Sequence, residues 1–166
     1  MRGIKALNKA IQTEVEMFGI EKIRMADWAY YSTDYSIEYT LIEERVEDLL
    51  FLDFVKERFN YIPINSFMLS LFHEIGHHYT YDEATESDII YDFCQNEKDR
   101  IEQEMQTATT KRKMKKLEFE YFNLPDEIVA TAWAVDYMRN HEAEVEEMWE
   151  NILKAIHKFY EKNLDK

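Results

Sequence analysis

Two histidines and a glutamate stand at metal-site spacing in Leu71-Phe72-His73-Glu74-Ile75-Gly76-His77-His78. Residues four apart on a helix lie one turn above each other on the same face, so His73 and His77 can grip one ion together. Two imidazoles from one turn are a common start to a zinc site. Glu74 between them can act as general base toward water at the metal. A catalytic zinc takes three protein ligands and keeps a position open, so a third ligand is required.

Metzincins would place Gly and then His where this chain has Thr80 and Glu83, which excludes that class. A glutamate from a later helix is the other route. Glu127 is the best candidate, because it opens a helix whose same-face neighbours Ala130 and Ala134 are small and allow a close approach. Thr131, one turn further, can hydrogen-bond a ligating His. Asp82, Glu83, Glu86, Asp88 and His141 are rivals for the third position. His78 adjoins a ligand but points about 100° away on a helix, which suits a supporting or surface role. An oxyanion needs a further donor, and Tyr79, Tyr81, Tyr137 and His141 are available.

These groups must be carried by elements that the apolar pattern outlines. Phe67, Met68, Leu69, Leu71, Phe72 and Ile75 make the motif helix (expected over 66–79) apolar almost all round, which is the mark of a buried helix. Its polar residues then need partners. Gly76 loses roughly 1 kcal/mol of helix propensity against Ala, a loss that makes sense if another backbone approaches closely. Pro125 in the first turn marks the start of the ligand helix, expected over 125–139. Ile4, Leu7, Ile11, Val15 and Phe18 recur at spacings of three and four, giving a helix over 4–18 that Gly19 stops.

From about 20 to 42 aromatic and β-branched residues dominate, and Tyr35, Ile37, Tyr39 and Leu41 alternate with polar residues. Short strands are expected there, with Ser32-Thr33-Asp34 as a hairpin turn. A helix is expected over 43–60, and Thr80–Ser87 reads as a polar loop. Helical periodicity from Asp88 to Phe122 would run roughly 50 Å if unbroken, so a break is expected at Thr107-Ala108-Thr109-Thr110. A last helix is expected over 141–163. The whole is a single α+β domain, mostly α.

Composition narrows the function classes. The 166 residues are enough for one domain with a real core. A formal charge of −14, from 34 acidic against 20 basic residues, argues against direct nucleic-acid binding through phosphates. The one basic cluster, Lys111 to Lys116, reads as a solvated helix surface. A single cysteine, Cys94, rules out an intrachain disulfide and reads as a small core residue. No apolar run approaches the roughly 18 residues of a membrane span, and no secretory signal is expected, so the expectation is a cytoplasmic protein without membrane association.

The motif, together with Glu127-x-x-Ala130-Thr131-x-Trp133-Ala134-x-x-Tyr137-Met138, resembles the ImmA/IrrE-type metallopeptidases of bacteria, phages and mobile elements. The resemblance implies a glutamate-zincin site with His73, His77 and Glu127 as Zn2+ ligands and Glu74 as catalytic base. Thr131, Tyr137 and His78 then fall among the hydrogen-bonding or oxyanion-stabilising candidates. It also implies a zincin-like fold, with an N-terminal helix and a small sheet packed on the motif helix. The implied substrate is a protein or peptide, such as a helix-turn-helix repressor. Two features depart from the family: Thr131 stands where Asn is usual, and the stretch between His77 and Glu127 is longer. The competing class is a non-catalytic binding module braced by metal, against which an intact Glu74 argues.

Overall fold

The structure, a computed structural model, describes residues 3–26, 29–32, 34–41, 46–85 and 88–164. It is mostly helical, with one small sheet. Helix α1 spans Ile4–Val15 and continues as a 3-10 turn, Glu16–Phe18. Strands β1 (Lys22–Met25), β2 (Tyr30–Ser32) and β3 (Ser36–Tyr39) follow, then α2 (Val46–Phe59), α3 (Ser66–Thr85), α4 (Asp88–Gln106), α5 (Lys111–Phe122), α6 (Pro125–Asn140) and α7 (Glu142–Leu164).

Helix α1 forms where the apolar spacing predicts it and buries Leu7, Ile11 and Val15 against α7 and β1. Gly19 ends the following turn with a φ of +79°, a left-handed conformation that costs glycine nothing. The sheet order is β1-β3-β2: β1 runs parallel to β3, and β2 is its antiparallel edge partner. Ile37 and Tyr39 of β3 point into the core. Tyr35, expected to open this strand, instead sits in the turn with a φ of +61° and is half exposed. Thr33 of that turn, Ile42 and residues 43–45 of the expected second helix lie outside the described residues.

The centre of the molecule is the pair α3 and α6, with the sheet against α3 on one side and α2 on another. Asn65 caps α3 by accepting from the Met68 N–H at 2.8 Å. Met68, Leu69, Leu71, Phe72 and Ile75 are all buried, and each such side chain stabilises the fold by roughly 1.5–3 kcal/mol. The helix does not stop at Tyr79. It continues through Thr85, over residues expected to form a loop, because buried Thr80 satisfies its hydroxyl on the Gly76 carbonyl at 2.8 Å without leaving the helix.

The expected break in the next stretch is present: α4 ends at Gln106 and Thr110 caps α5, accepting from Lys113 N–H at 3.2 Å. Ile101, Leu117 and Leu124 form a small second core beneath this helical hairpin. Lys115 of the basic cluster bridges to Asp53 and Glu57 of α2, and Lys116 pairs with Glu120. Lys115 is half-buried, while Lys111, Arg112, Lys113 and Lys116 are exposed, so the cluster is a largely solvated surface. No helix among the described residues is long and apolar enough to cross a membrane.

Gly76 is where α3 and α6 touch. A Cβ built there would lie 2.3 Å from the Ala130 carbonyl oxygen, which belongs to helix backbone and cannot rotate away. Gly76→Ala gains roughly 1 kcal/mol of helix propensity, yet the clash should leave a net loss of about 1–3 kcal/mol. Urea denaturation checks this; an alanine variant as stable as wild type would contradict the close approach.

Candidate metal centre

The close packing of α3 on α6 brings His73, His77 and Glu127 together, with one ligand atom of each inside a single small cluster. His73 Nε2 is 3.1 Å from Glu127 Oε2 and 3.1 Å from His77 Nε2, while His77 Nε2 is 3.5 Å from Glu127 Oε2. Zinc bonds of about 2.0–2.1 Å in a tetrahedron separate ligand atoms by roughly 3.3–3.4 Å. The triangle fits that spacing.

Its chemistry fits as well. Thr131 Oγ1 donates to the Glu127 carbonyl at 2.8 Å, so at 3.1 Å from His73 Nδ1 it accepts the ring N–H. In the neutral ring this leaves His73 Nε2 with a bare lone pair, facing a carboxylate oxygen and a second imidazole nitrogen. Electron-rich atoms so close together call for a cation between them. Thr131 thus meets the His73 ring through its hydroxyl, the contact that would orient the ring were it to bind a metal. The Phe51 ring meets His73 edge-on, with centroids 5.1 Å apart.

The two carboxylates of the site are driven in opposite directions. Burial pushes Glu74 above the ordinary carboxylate range, although His73, His77 and a backbone N–H from Tyr31 partly oppose it. Burial would raise Glu127 too, but His77 and His73 hold its carboxyl well below that range. Environments that separate two acids in this way mark one as a proton carrier and the other as a permanent anion. Glu74 suits the first role and Glu127 the second. Tyr31 is on the edge strand β2, so the sheet reaches the site through its backbone.

Other candidates fall elsewhere. His78 turns toward the sheet, where its Nδ1 lies 3.0 Å from the Tyr31 hydroxyl and its ring packs over Gly19. Tyr137 stacks on Phe72, Trp133 and His141, and its hydroxyl engages Glu144. It sits ten residues beyond Glu127 on one helix, roughly 15 Å along the axis. His141 donates from Nδ1 to the Tyr137 carbonyl at 3.0 Å and is not part of the His73, His77 and Glu127 cluster. Tyr79 is half exposed and stacks on Trp133, and Tyr81 is exposed. The side chains of Asp82, Glu83 and Asp88, and all of Glu86, lie outside the described residues. Cys94 is buried, and burial pushes its thiol up, which suits the core role expected of it.

Lys98 and Tyr121 were not anticipated. Lys98 Nζ lies 2.5 Å from Glu127 Oε1 and 2.5 Å from Asp126 Oδ2, and 5.4 Å from the centre of the Tyr121 ring. Burial opposes its charge, but Glu127, Tyr121 and Asp126 together outweigh this and hold the ammonium above its ordinary value. A signal for Lys98 was present: it falls on the apolar stripe Cys94, Ile101 and Met105 of α4, where a charge must find a partner. Tyr121 gave no such signal.

Comparison of the chain with protein-family models, with curated proteins and with solved structures returned no match.

Elemental analysis of protein purified without added metal should find near-stoichiometric metal in wild type and none in His77→Ala or Glu127→Ala. Metal retained without Glu127 would break the three-residue cluster. Thr131→Val should weaken metal binding about 10–100-fold, as loss of a ligand's hydrogen-bond partner does, while Thr131→Ser keeps it. Chelator competition reads both.

Proposed function

We propose that this chain is a zinc-dependent metallopeptidase of the His-Glu-x-x-His, glutamate-zincin type. The observation that carries the proposal is the convergence of three lone-pair donors from α3 and α6 at tetrahedral spacing, beside a buried carboxyl, Glu74, whose proton affinity burial raises. His73, His77 and Glu127 would hold the ion. Zinc, when bound, acts as a Lewis acid that lowers the pKa of water toward 7 and polarises a carbonyl. Glu74 takes the proton from the attacking water and returns it to the leaving amine. Thr131 keeps the His73 ring in register.

A structural zinc site is usually closed by four protein ligands, whereas three gather here among the described residues. That favours catalysis over a metal-braced binding module. The resemblance to the ImmA/IrrE-type peptidases extends the proposal to a repressor-type regulatory protein as substrate, in the cytoplasm.

Glu74→Gln should keep its zinc and lose peptide hydrolysis by about 10²–10⁴-fold, the usual worth of a general base. A random-sequence peptide library read by mass spectrometry, beside zinc analysis of the same samples, is the measurement. Cleavage undiminished in Glu74→Gln would remove Glu74 from the mechanism. A zinc-loaded wild type that cuts nothing in the library would favour the binding module.

A further inference from the structure

The two oxygens of Glu127 face different partners. Oε2 belongs to the histidine triangle, while Oε1 accepts from Lys98 Nζ at 2.5 Å. Lys98 arrives from α4, in the stretch that separates the two ligand helices in sequence, and its side chain is 17% exposed against 5% for Glu127. Resting on the zinc proposal above, we infer that Lys98 sets the denticity of the Glu127 ligand. By occupying Oε1 it restricts the metal to Oε2 and preserves the position at which water enters.

The physical case has three parts. A carboxylate can bind a cation through one oxygen or both, and a second oxygen on zinc would fill the place a hydrolytic site keeps open. For Oε1 to swing onto the ion it must leave an ammonium in a largely desolvated setting, where charge-assisted hydrogen bonds are strong. Lys98 cannot follow the swing, because Asp126 Oδ2 anchors the same ammonium at 2.5 Å and the Tyr121 ring lies beside it.

Charge points the same way. Glu127 and Asp126 bring two negative charges against the one positive charge of Lys98. With Lys98 neutralised, both oxygens of Glu127 would be left for the ion to attract. Lys98 thus acts through Glu127 as a positioning residue.

Cobalt(II) in place of zinc tests this without any substrate, since four-coordinate cobalt absorbs visible light several-fold more strongly than five-coordinate cobalt. Wild type and Lys98→Arg should give the intense band. Lys98→Met should bind cobalt with an affinity within about tenfold of wild type, short of the full loss expected for a mere ligand brace, yet with the band reduced several-fold. An intense band in Lys98→Met would overturn the inference. So would cobalt affinity about 100-fold weaker with an unchanged band, the signature of a brace. Should Lys98→Met fail to fold by circular dichroism, a weak band in wild type or in Lys98→Arg is sufficient to overturn it, and intense bands in both support it. Wild type that takes up neither cobalt nor zinc would fell the zinc proposal itself and this inference with it.

Discussion

The contact between the backbones of α3 and α6 governs the rest of the molecule. Gly76 on one helix meets Ala130 on the other so closely that no side chain fits between them. On either side of that contact the polar residues fall into register. His73 and His77 are one turn apart on α3; Glu127 and Thr131 are one turn apart on α6. A slip of one residue on α6 would rotate Glu127 by about 100° and take both Glu127 and Thr131 away from His73. The small residues are thus the condition for the polar ones, since the short side chains of a histidine pair reach a carboxylate only when the helices are this near.

Burying such a cluster carries an electrostatic cost that the surroundings must offset. Two carboxyls, Glu74 and Glu127, are almost wholly buried on facing helices, and Asp126 adds a third nearby. Lys98 compensates the Asp126 and Glu127 side of the cluster, and the Tyr31 backbone N–H reaches Glu74. At the histidine triangle the positive charge comes either from the imidazoles, His77 being raised by Glu127 and Glu74 despite its burial, or from an ion between the donors. The donors stand as close as a tetrahedral ion would hold them, and that is the strongest physical reason to place a cation there.

Much of this was legible in the sequence where the signal was local. The four-residue step from His73 to His77, the glycine at 76, the proline that opens α6 and the threonine one turn past Glu127 all express spacing within a single helix. Elsewhere the deciding fact was one that composition and alternation do not carry. Thr80 to Thr85 looks like a loop by composition, but the Thr80 hydroxyl finds its acceptor inside the helix. Tyr35 continues the alternation of β3 on paper, yet the hairpin needs it in the left-handed turn. For Lys98 the stripe was visible, but its partner is 29 residues on, and no periodicity says which faces of α4 and α6 meet.

That last pairing ties the stretch between α3 and α6 to the site. From α5, Tyr121 lies beside the Lys98 ammonium, and Phe119 and Phe122 pack on the main core. The tie through α4 is electrostatic. An ammonium 17% exposed, held between Asp126 and Glu127, ties α4 to the first turn of α6 through charge rather than through apolar packing alone. Removing α4 would strand two carboxylates, one of them almost completely buried, and uncompensated buried charge is among the costliest defects a fold can carry. Helix α4 and the site are therefore one structural unit: α4 docks because Asp126 and Glu127 need its lysine, and Glu127 keeps one oxygen turned to the histidines while that lysine holds the other.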